Sequence, residues 1–352
     1  MAKLPTPQEL VASRPAFPAQ SWLDYKPKFA PGSFCYPAKV ETMEKLHMPH
    51  PHSWDPAAED WNLPEGWEKI FCDAFHDRLK KHRSLKVFMD ICVRCGACAD
   101  KCQFFLGTND PKNMPVLRVE LLRSLYRRDY TMLGKLLGKT IGARKLDYSV
   151  IKELFYYAYQ CTECRRCSLF CPYGIDTAEI TALVREMLHE LGLGIHWIMD
   201  PVKNCAFTGN HLGIKPHSYK EIVEMLADDC EYVTGIRPKT PFNERGHEIL
   251  FICPSGDVFA DPGIYTFMGY LILFNELDLD YTLSTYASEG GNFGSFVSFN
   301  MAKKLNAKMY EEAERLGVKW ILGGECGHMW RVVNQYMATY NGPTPPNMQT
   351  PV

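Results

Sequence analysis

The chain has 352 residues, of which 46% are hydrophobic and 23% charged, and its formal net charge is −2. This length suits two or three folded domains, and the near-neutral charge argues against a nucleic-acid partner. Fourteen cysteines are too few for a small secreted protein held by disulfides, and eight of them lie in two compact groups. Grouped cysteines predict metal ligation in a reducing compartment.

Neither a secretory segment nor a transmembrane segment is predicted. The N-terminus, MAKLPTPQEL, lacks the basic and apolar regions of a signal peptide. The most apolar uncharged run, residues 262–275, is shorter than the roughly 20 residues that a bilayer requires. We therefore expect a cytoplasmic protein, which can still bind a membrane subunit.

Residues 1–74 are expected to form a proline-rich, aromatic arm. The first 70 residues hold eleven of the 24 prolines and four of the seven tryptophans. Proline lacks a backbone donor and restricts the residue before it, so long helices are not expected here. The arm either packs on its own domain or covers a partner subunit.

Residues 75–200 are predicted to be helical, because apolar residues recur there at helical spacing. Three helices are predicted from their apolar stripes. For the last of them, Asp176 is the predicted N-cap, Glu179 is at the capping-box position, and Gly192 follows the end. The three apolar stripes are Leu117, Leu121, Leu122 and Leu125; Ile151, Leu154, Phe155 and Ala158; and Ile180, Leu183, Val184, Met187, Leu188 and Leu191.

Two cysteine runs lie in this region, at 92–102 (CVRCGACADKC) and 161–171 (CTECRRCSLFC). Each has the spacing C-x2-C-x2-C-x3-C, which is the bacterial ferredoxin pattern for [4Fe–4S] clusters. In that pattern the fourth cysteine of each run binds the cluster of the other run. The prediction is two clusters, one held by Cys92, Cys95, Cys98 and Cys171 and the other by Cys161, Cys164, Cys167 and Cys102.

Structural zinc is the alternative to clusters. Zinc sites normally pair two CxxC units across a longer span than these runs, so we expect clusters. The 58 residues between the runs look helical, which predicts an α-helical ferredoxin domain. Within them, residues 112–145 hold nine basic and two acidic side chains, which form either a docking face or a solvated face.

From residue 247 the sequence changes to alternating strands and helices. Strands are predicted at 248–256, 281–286 and 318–322, with helices at 263–277 and 295–316. This pattern predicts a Rossmann-like parallel α/β domain over 247–352, after a linker over 201–246. Cys253 and Cys326 lie at the carboxyl ends of strands, where open α/β sheets place their sites. His196, His211 and His217 show no convergent partner, and no role is assigned to them.

The chain resembles the heterodisulfide-reductase-like (Hdr-like) iron–sulfur proteins over nearly its whole length. The resemblance depends on the two ferredoxin runs, the proline-rich arm, and the segments FICPSGDVFADPG and GGECGHMWR. Within the family it is most similar to the K-type subunits (DsrK) of membrane-bound DsrMKJOP complexes. The iron–sulfur subunit of a lactate- or glycerol-3-phosphate-dehydrogenase-like complex is the alternative. The family architecture is an α-helical ferredoxin domain followed by α/β "CCG" domains.

The resemblance implies that the α/β domain is a degenerate CCG domain. In the family, five cysteines of this domain hold a noncubane [4Fe–4S] centre that cleaves a disulfide or trisulfide. Only two of them are present here, since the matching positions hold, in order, Cys253, Glu289, Gly290, Cys326 and Met329. Three interpretations of Cys253, Glu289, Cys326 and the nearby His328 stay open: structural remnants, partners in a site that another domain completes, or ligands of their own metal. A second CCG domain does not follow, so we expect either a fragment or a catalytic half on another chain.

The resemblance also implies partners and a function. It implies an oxidoreductase subunit that passes electrons between a cytochrome b-type (DsrM-like) quinol-oxidising membrane subunit and a DsrC-like sulfur-carrier protein, in dissimilatory sulfur metabolism. It implies peripheral association with the inner face of the cell membrane, beside other complex subunits. Catalysis by this chain alone is not implied. A zinc-stabilised scaffold, which would be colourless, is the non-enzyme alternative.

Overall fold

The computed structural model describes residues 36–37, 61–289, 291–324 and 326–349, which lie in two units, Met1–Ile195 and His196–Val352. Most of the predicted arm therefore lies outside the described residues. The described part of the chain is mostly helical, with one small parallel sheet. No helix in it is long and apolar enough to cross a membrane.

The first unit is helical. Its described residues also include a two-stranded antiparallel sheet of β1 (Tyr36–Pro37) and β2 (Leu193–Gly194). Its helices are α1 (Trp67–Lys81), α2 (Arg83–Ile91), α3 (Gln103–Thr108), α4 (Pro115–Tyr130), α5 (Met132–Leu137), α6 (Tyr148–Gln160), α7 (Arg166–Leu169) and α8 (Thr177–Glu190).

The three predicted apolar stripes form the core of this unit, on α4, α6 and α8. Leu122, Ile151 and Leu183 are fully buried, and burial of each such side chain contributes about 1.5–3 kcal/mol. Asp176 caps α8 as predicted, because its Oδ1 accepts hydrogen bonds from the N–H groups of Ala178 (2.9 Å) and Glu179 (3.2 Å). The Glu179 carboxylate accepts a hydrogen bond from the Ser84 hydroxyl, so it packs α8 against α2.

The second unit has a three-stranded parallel sheet in the order β4-β3-β5. The strands are β3 (Ile249–Ile252), β4 (Tyr281–Leu283) and β5 (Trp320–Gly323), each shorter than predicted. Apolar side chains cover β3 on both faces, which explains why its sequence is continuously hydrophobic. The helices are α9 (His196–Thr208), α10 (Pro216–Thr234), α11 (Ser255–Phe259), α12 (Gly263–Glu276), α13 (Phe299–Leu316) and α14 (Gly327–Asn341).

Two segments differ from the sequence prediction. The expected linker over 201–246 contains most of α9 and all of α10. In α10, Pro216 stands in the first turn, where its missing N–H costs nothing, and Tyr219, Val223 and Leu226 form a buried stripe. Helix α1 begins at Trp67, inside the segment expected to be an arm. The division of the chain at 74, 200 and 246 stays a prediction.

Candidate iron–sulfur site

The two cysteine loops have the same backbone shape. The second residue after the first cysteine has a positive φ in both loops, at Arg94 (56°) and Glu163 (52°). The residue after the second cysteine does as well, at Gly96 (78°) and Arg165 (58°). This left-handed conformation costs a non-glycine residue about 1–2 kcal/mol. Its recurrence at matched positions is typical of backbone nests, whose N–H groups bind anions and iron–sulfur clusters.

The first loop borders a cavity. Helix α4 closes one side of this cavity with its first residue, Pro115. The cysteines that line it come from both runs: Cys92, Cys95, Cys98, Cys167 and Cys171. The fourth cysteine of the second run therefore lies beside the first three cysteines of the first run.

The second loop borders a second cavity. Its cysteines are Cys161, Cys164 and Cys167 of the second run and Cys102 of the first. Each run therefore places its fourth cysteine at the other run's cavity. Pro115 and Cys167 line both cavities, so the two cavities are neighbours.

The thiols surround a volume and do not converge on a point. Among the described residues, no three His, Cys, Asp or Glu side chains are close enough to bind one metal ion. A structural zinc needs four ligand atoms at about 2.0–2.3 Å from a single centre. Thiols that are spread around a cavity fit a cluster of several irons.

Burial makes two of these thiols, Cys98 and Cys167, depend on a metal for their charge. Desolvation raises the pKa of Cys98 to about 12 and also raises the pKa of Cys167. A coordinated metal supplies the positive charge that keeps such a thiol deprotonated. These two thiols therefore fit a cationic metal group.

Arginines surround the first cavity. Glu120, which is 1% exposed, pairs with Arg94 and Arg123 at 2.8 Å each and also pairs with Arg127. Arg123 lines the cavity and donates to the Met89 carbonyl oxygen (3.0 Å), just before the first loop. Three guanidinium groups against one carboxylate leave net positive charge here. Such charge favours the reduced form of a bound cluster and raises its potential.

Arg185 of α8 holds the second loop. Its guanidinium is 1% exposed and pairs with Glu163 of the loop at 2.8 Å. It also donates to the carbonyl oxygens of Ala158 (2.9 Å) and Cys161, at the junction of α6 and the loop. One side chain of α8 therefore joins the second loop to the end of α6.

These contacts limit both interpretations of the basic stretch 112–145 to part of it. Lys112 is fully buried and pairs with Glu153 at 3.0 Å, and Arg144 pairs with the same carboxylate at 2.7 Å. Five of its nine basic residues make internal ion pairs or hydrogen bonds: Lys112, Arg118, Arg123, Arg127 and Arg144. The docking-face and solvated-face interpretations therefore apply only to the other four, Arg128, Lys135, Lys139 and Lys145, and stay predictions for them.

In the second unit, a polar network surrounds Glu289, which follows β4. Glu289 is 8% exposed, and its Oε1 accepts hydrogen bonds from the Ser255 N–H (2.9 Å) and the Ser255 hydroxyl. His211 Nδ1 lies 2.6 Å from the same oxygen and 2.7 Å from Ser255 Oγ. The sequence assigns no role to His211 or Ser255, because 78 and 34 positions separate them from Glu289.

The two cysteines of the CCG frame follow β3 and β5. Cys253 is 1% exposed, and its Sγ lies 3.6 Å from Asp257 Oδ2. Cys326 is half-buried at the N-cap of α14, where its Sγ accepts a hydrogen bond from the Met329 N–H at 3.5 Å. His328, the other sequence candidate, is exposed. Each cysteine therefore contributes to local structure at the start of a helix.

A family model described as a 4Fe-4S dicluster domain matches residues 88–175, which include both cysteine runs. The chain is 54% identical over 293 residues to the Hdr-like menaquinol oxidoreductase iron-sulfur subunit of Archaeoglobus profundus, covering 82% of this chain and 53% of the relative. It is 54% identical over 288 residues to the Hdr-like menaquinol oxidoreductase iron-sulfur subunit 2 of Archaeoglobus fulgidus, covering 81% of this chain and 52% of the relative. The chain thus spans about half the length of these curated relatives.

A more distant similarity concerns a shorter region. A dihydromethanophenazine:CoB--CoM heterodisulfide reductase subunit of Methanosarcina barkeri is 29% identical over 107 residues, covering 30% of this chain and 25% of the relative. No solved structure matches the chain. The dicluster match and the 54% identity over about four fifths of the chain support the Hdr-like family and [4Fe–4S] chemistry.

Proposed function

We propose that this chain is the part of an electron-transfer subunit that carries two [4Fe–4S] clusters. The proposal depends above all on one observation, the exchange of fourth cysteines between two neighbouring cavities. When bound, the clusters supply one-electron carriers between a donor and an acceptor. The proposed ligands are Cys92, Cys95, Cys98 and Cys171 for one cluster, and Cys161, Cys164, Cys167 and Cys102 for the other.

The chain's own residues hold the loops and set their charge. Arg185 ties the second loop to α6 and α8, and Glu120 gathers three arginines beside the first loop. Basic side chains also line the second cavity, namely Lys101, Arg118 and Arg165, so positive charge favours the reduced form of a cluster at both cavities.

The proposed electron donor is a cytochrome b-type, DsrM-like membrane subunit that oxidises a quinol. The two Archaeoglobus relatives are named as menaquinol oxidoreductase subunits, which supports a complex of this kind. We further propose a DsrK-type role in sulfur metabolism, at the inner face of the cell membrane, with a DsrC-like sulfur-carrier protein as the acceptor. The segments FICPSGDVFADPG and GGECGHMWR support this narrower assignment.

The α/β unit is proposed to be a degenerate, Rossmann-like CCG domain that needs another domain to bind a third, noncubane cluster. Cys253 and Cys326 follow two adjacent parallel strands, which supports a site shared with ligands from elsewhere. Glu289 Oε1 already accepts hydrogen bonds from Ser255 and His211, which supports a structural role for this carboxylate. His328 is exposed, and no contact supports a role for it.

Electron delivery through the membrane partner tests the proposal. The complex is purified without oxygen and given a reduced menaquinone analogue, and the visible absorbance of the iron–sulfur centres is recorded. We expect the absorbance to bleach with the wild-type subunit and with Cys72→Ser, a control on α1 that lines neither cavity. Cys171→Ser should reduce the bleaching.

Three outcomes would contradict this account. Clusters that dithionite reduces but the quinol analogue does not would exclude a quinol donor. A complex that contains a flavoprotein dehydrogenase subunit would favour the lactate- or glycerol-3-phosphate-dehydrogenase-like alternative. A colourless protein that contains zinc would favour the scaffold.

A further inference from the structure

A short apolar segment is exposed on the first unit, immediately after α4. It consists of α5 and the 3-10 turn Gly138–Ile141. Four of its side chains, which we call the apolar tip, are exposed: Met132 (89%), Leu133 (63%), Leu136 (81%) and Leu137 (46%). Single exposed apolar residues are ordinary, but a contiguous group of them marks an interaction site.

Basic side chains flank the apolar tip. Lys135 and Lys139 are exposed within the segment, and Lys145 is exposed shortly after it. Residues 130–146 contain four basic residues, of which Arg144 pairs with Glu153, and no acidic one; Asp129 and Asp147 flank them in the chain. The apolar tip therefore lies in a locally positive surface, although the whole chain is slightly negative.

We propose that the apolar tip inserts into the headgroup region of an anionic lipid bilayer, with Lys135 and Lys139 against the lipid phosphates. Interfacial segments of this kind bury leucine-type side chains about 5–10 Å deep, and their basic residues bind anionic lipid. A protein partner fits less well: protein interfaces also favour methionine, but their buried parts are rich in aromatic residues and arginine and poor in lysine. The apolar tip and its flanking cations consist only of methionine, leucine and lysine.

The apolar tip is connected to the first cavity. The Gly142 carbonyl oxygen, just after the tip, accepts a hydrogen bond from Arg127 at 3.1 Å, and Arg127 pairs with Glu120. Glu120 in turn pairs with Arg94 of the first cysteine loop. Along α4, Arg123 at the cavity and the helix end at Tyr130 are about 10 Å apart. A docked tip therefore brings the first cavity near the bilayer surface, which deepens the proposed function and rests on it.

Vesicle binding tests the inference. The cluster-loaded protein is sedimented with phosphatidylcholine vesicles that either contain or lack phosphatidylglycerol. We expect binding only when phosphatidylglycerol is present, and weaker binding as salt rises, because salt screens the attraction. Leu133→Ser/Leu136→Ser should abolish binding. Lys135→Gln and Lys139→Gln should each weaken it about fivefold, the usual effect of one cation near an anionic surface.

A matched control distinguishes vesicle binding through the apolar tip from non-specific hydrophobic binding. Leu273 and Leu277 are 50% and 60% exposed in the second unit, so Leu273→Ser/Leu277→Ser removes comparable apolar surface elsewhere. This variant should bind vesicles as the wild type does. Iron content and the visible spectrum of every variant show whether the first unit is intact.

Several results would overturn the inference. The inference is refuted if vesicle binding by the wild-type protein does not depend on phosphatidylglycerol. It is also refuted if the Leu133→Ser/Leu136→Ser variant binds vesicles as well as the wild type does. Binding to membranes with the quinol-oxidising subunit, but not to phosphatidylglycerol vesicles, would assign the apolar tip to a protein interface instead. Normal quinol reduction together with any of these results would leave the proposed function intact and refute this inference alone.

Discussion

Replacement of Arg185 by leucine removes the guanidinium that joins α6, the second cysteine loop and α8. The variant keeps apolar volume at the position but leaves the Glu163 carboxylate, which is 7% exposed, without this partner. The carbonyl oxygens of Ala158 and Cys161 lose a donor as well. We expect the second loop to lose its geometry and the protein to lose stability.

The burial of the Arg185–Glu163 pair sets the expected size of the stability loss. Removing one member of a buried ion pair costs about 3–5 kcal/mol, because the remaining charge stays buried. Arg185→Lys keeps the charge, but a lysine ammonium lacks the planar geometry that binds a carboxylate and two carbonyl oxygens together. We therefore expect this variant to lose about 1–3 kcal/mol of stability. The double variant Arg185→Leu/Glu163→Leu removes both charges and should recover most of the loss, since a buried pair and an apolar pair are often similar in stability.

Anaerobic thermal unfolding, followed by circular dichroism, measures the effect. For a unit of this size, about 3–5 kcal/mol corresponds to a fall in melting temperature of roughly 6–20 °C. Iron analysis should show that Arg185→Leu loses the second-loop cluster and keeps the first. A variant that melts with the wild type and keeps all its iron would refute the role assigned to Arg185.

Three further predictions concern other parts of the chain. Cys171 and Cys95 both line the first cavity, so Cys171→Ser and Cys95→Ser should give the same electron paramagnetic resonance (EPR) spectrum. If Cys171→Ser instead gives the spectrum of Cys164→Ser, a variant at the second cavity, cross-ligation is contradicted. Burial lowers the pKa of His189 to about 4 in the folded protein, whereas in the unfolded chain this histidine has its usual pKa of about 6.5. As the pH falls, the unfolded chain therefore binds a proton before the folded protein does. Stability should therefore fall by about 3 kcal/mol between pH 7 and pH 4, and urea titrations of His189→Gln should lose this dependence; an unchanged dependence would refute it. Glu289→Ala should destabilise the second unit by about 2–4 kcal/mol without loss of iron, and iron loss would contradict a structural role for Glu289.

Features with a local cause were predictable from the sequence. The cysteine runs define their loops within eleven residues, and the same spacing produces the same left-handed positions at Arg94 and Glu163. The apolar stripes of α4, α6 and α8 follow helical periodicity, and the side chains of these stripes are buried. The Asp176 cap depends on two neighbouring N–H groups, so three residues suffice to predict it.

Features that depend on distant contacts were not predictable in this way. His211 and Glu289 meet only in the folded second unit, and neither residue has a local pattern that indicates the other. The basic stretch 112–145 looks like a surface in the sequence, yet Lys112 is buried because Glu153 of α6 supplies its counter-charge. Helix α9 contains Pro201, which opposes a helix prediction and is outweighed by packing.

The central claim, two clusters in two adjoining thiol cavities, is tested most directly by one measurement. Iron and acid-labile sulfide are determined per chain on anaerobically purified protein, with EPR spectra of the reduced and oxidised states. The account predicts about eight irons and about eight sulfides, with cubane signals only in the reduced state. About four irons, or zinc in their place, would contradict it. About twelve irons with an additional signal in the oxidised state would show that Cys253 and Cys326 help to bind a third centre.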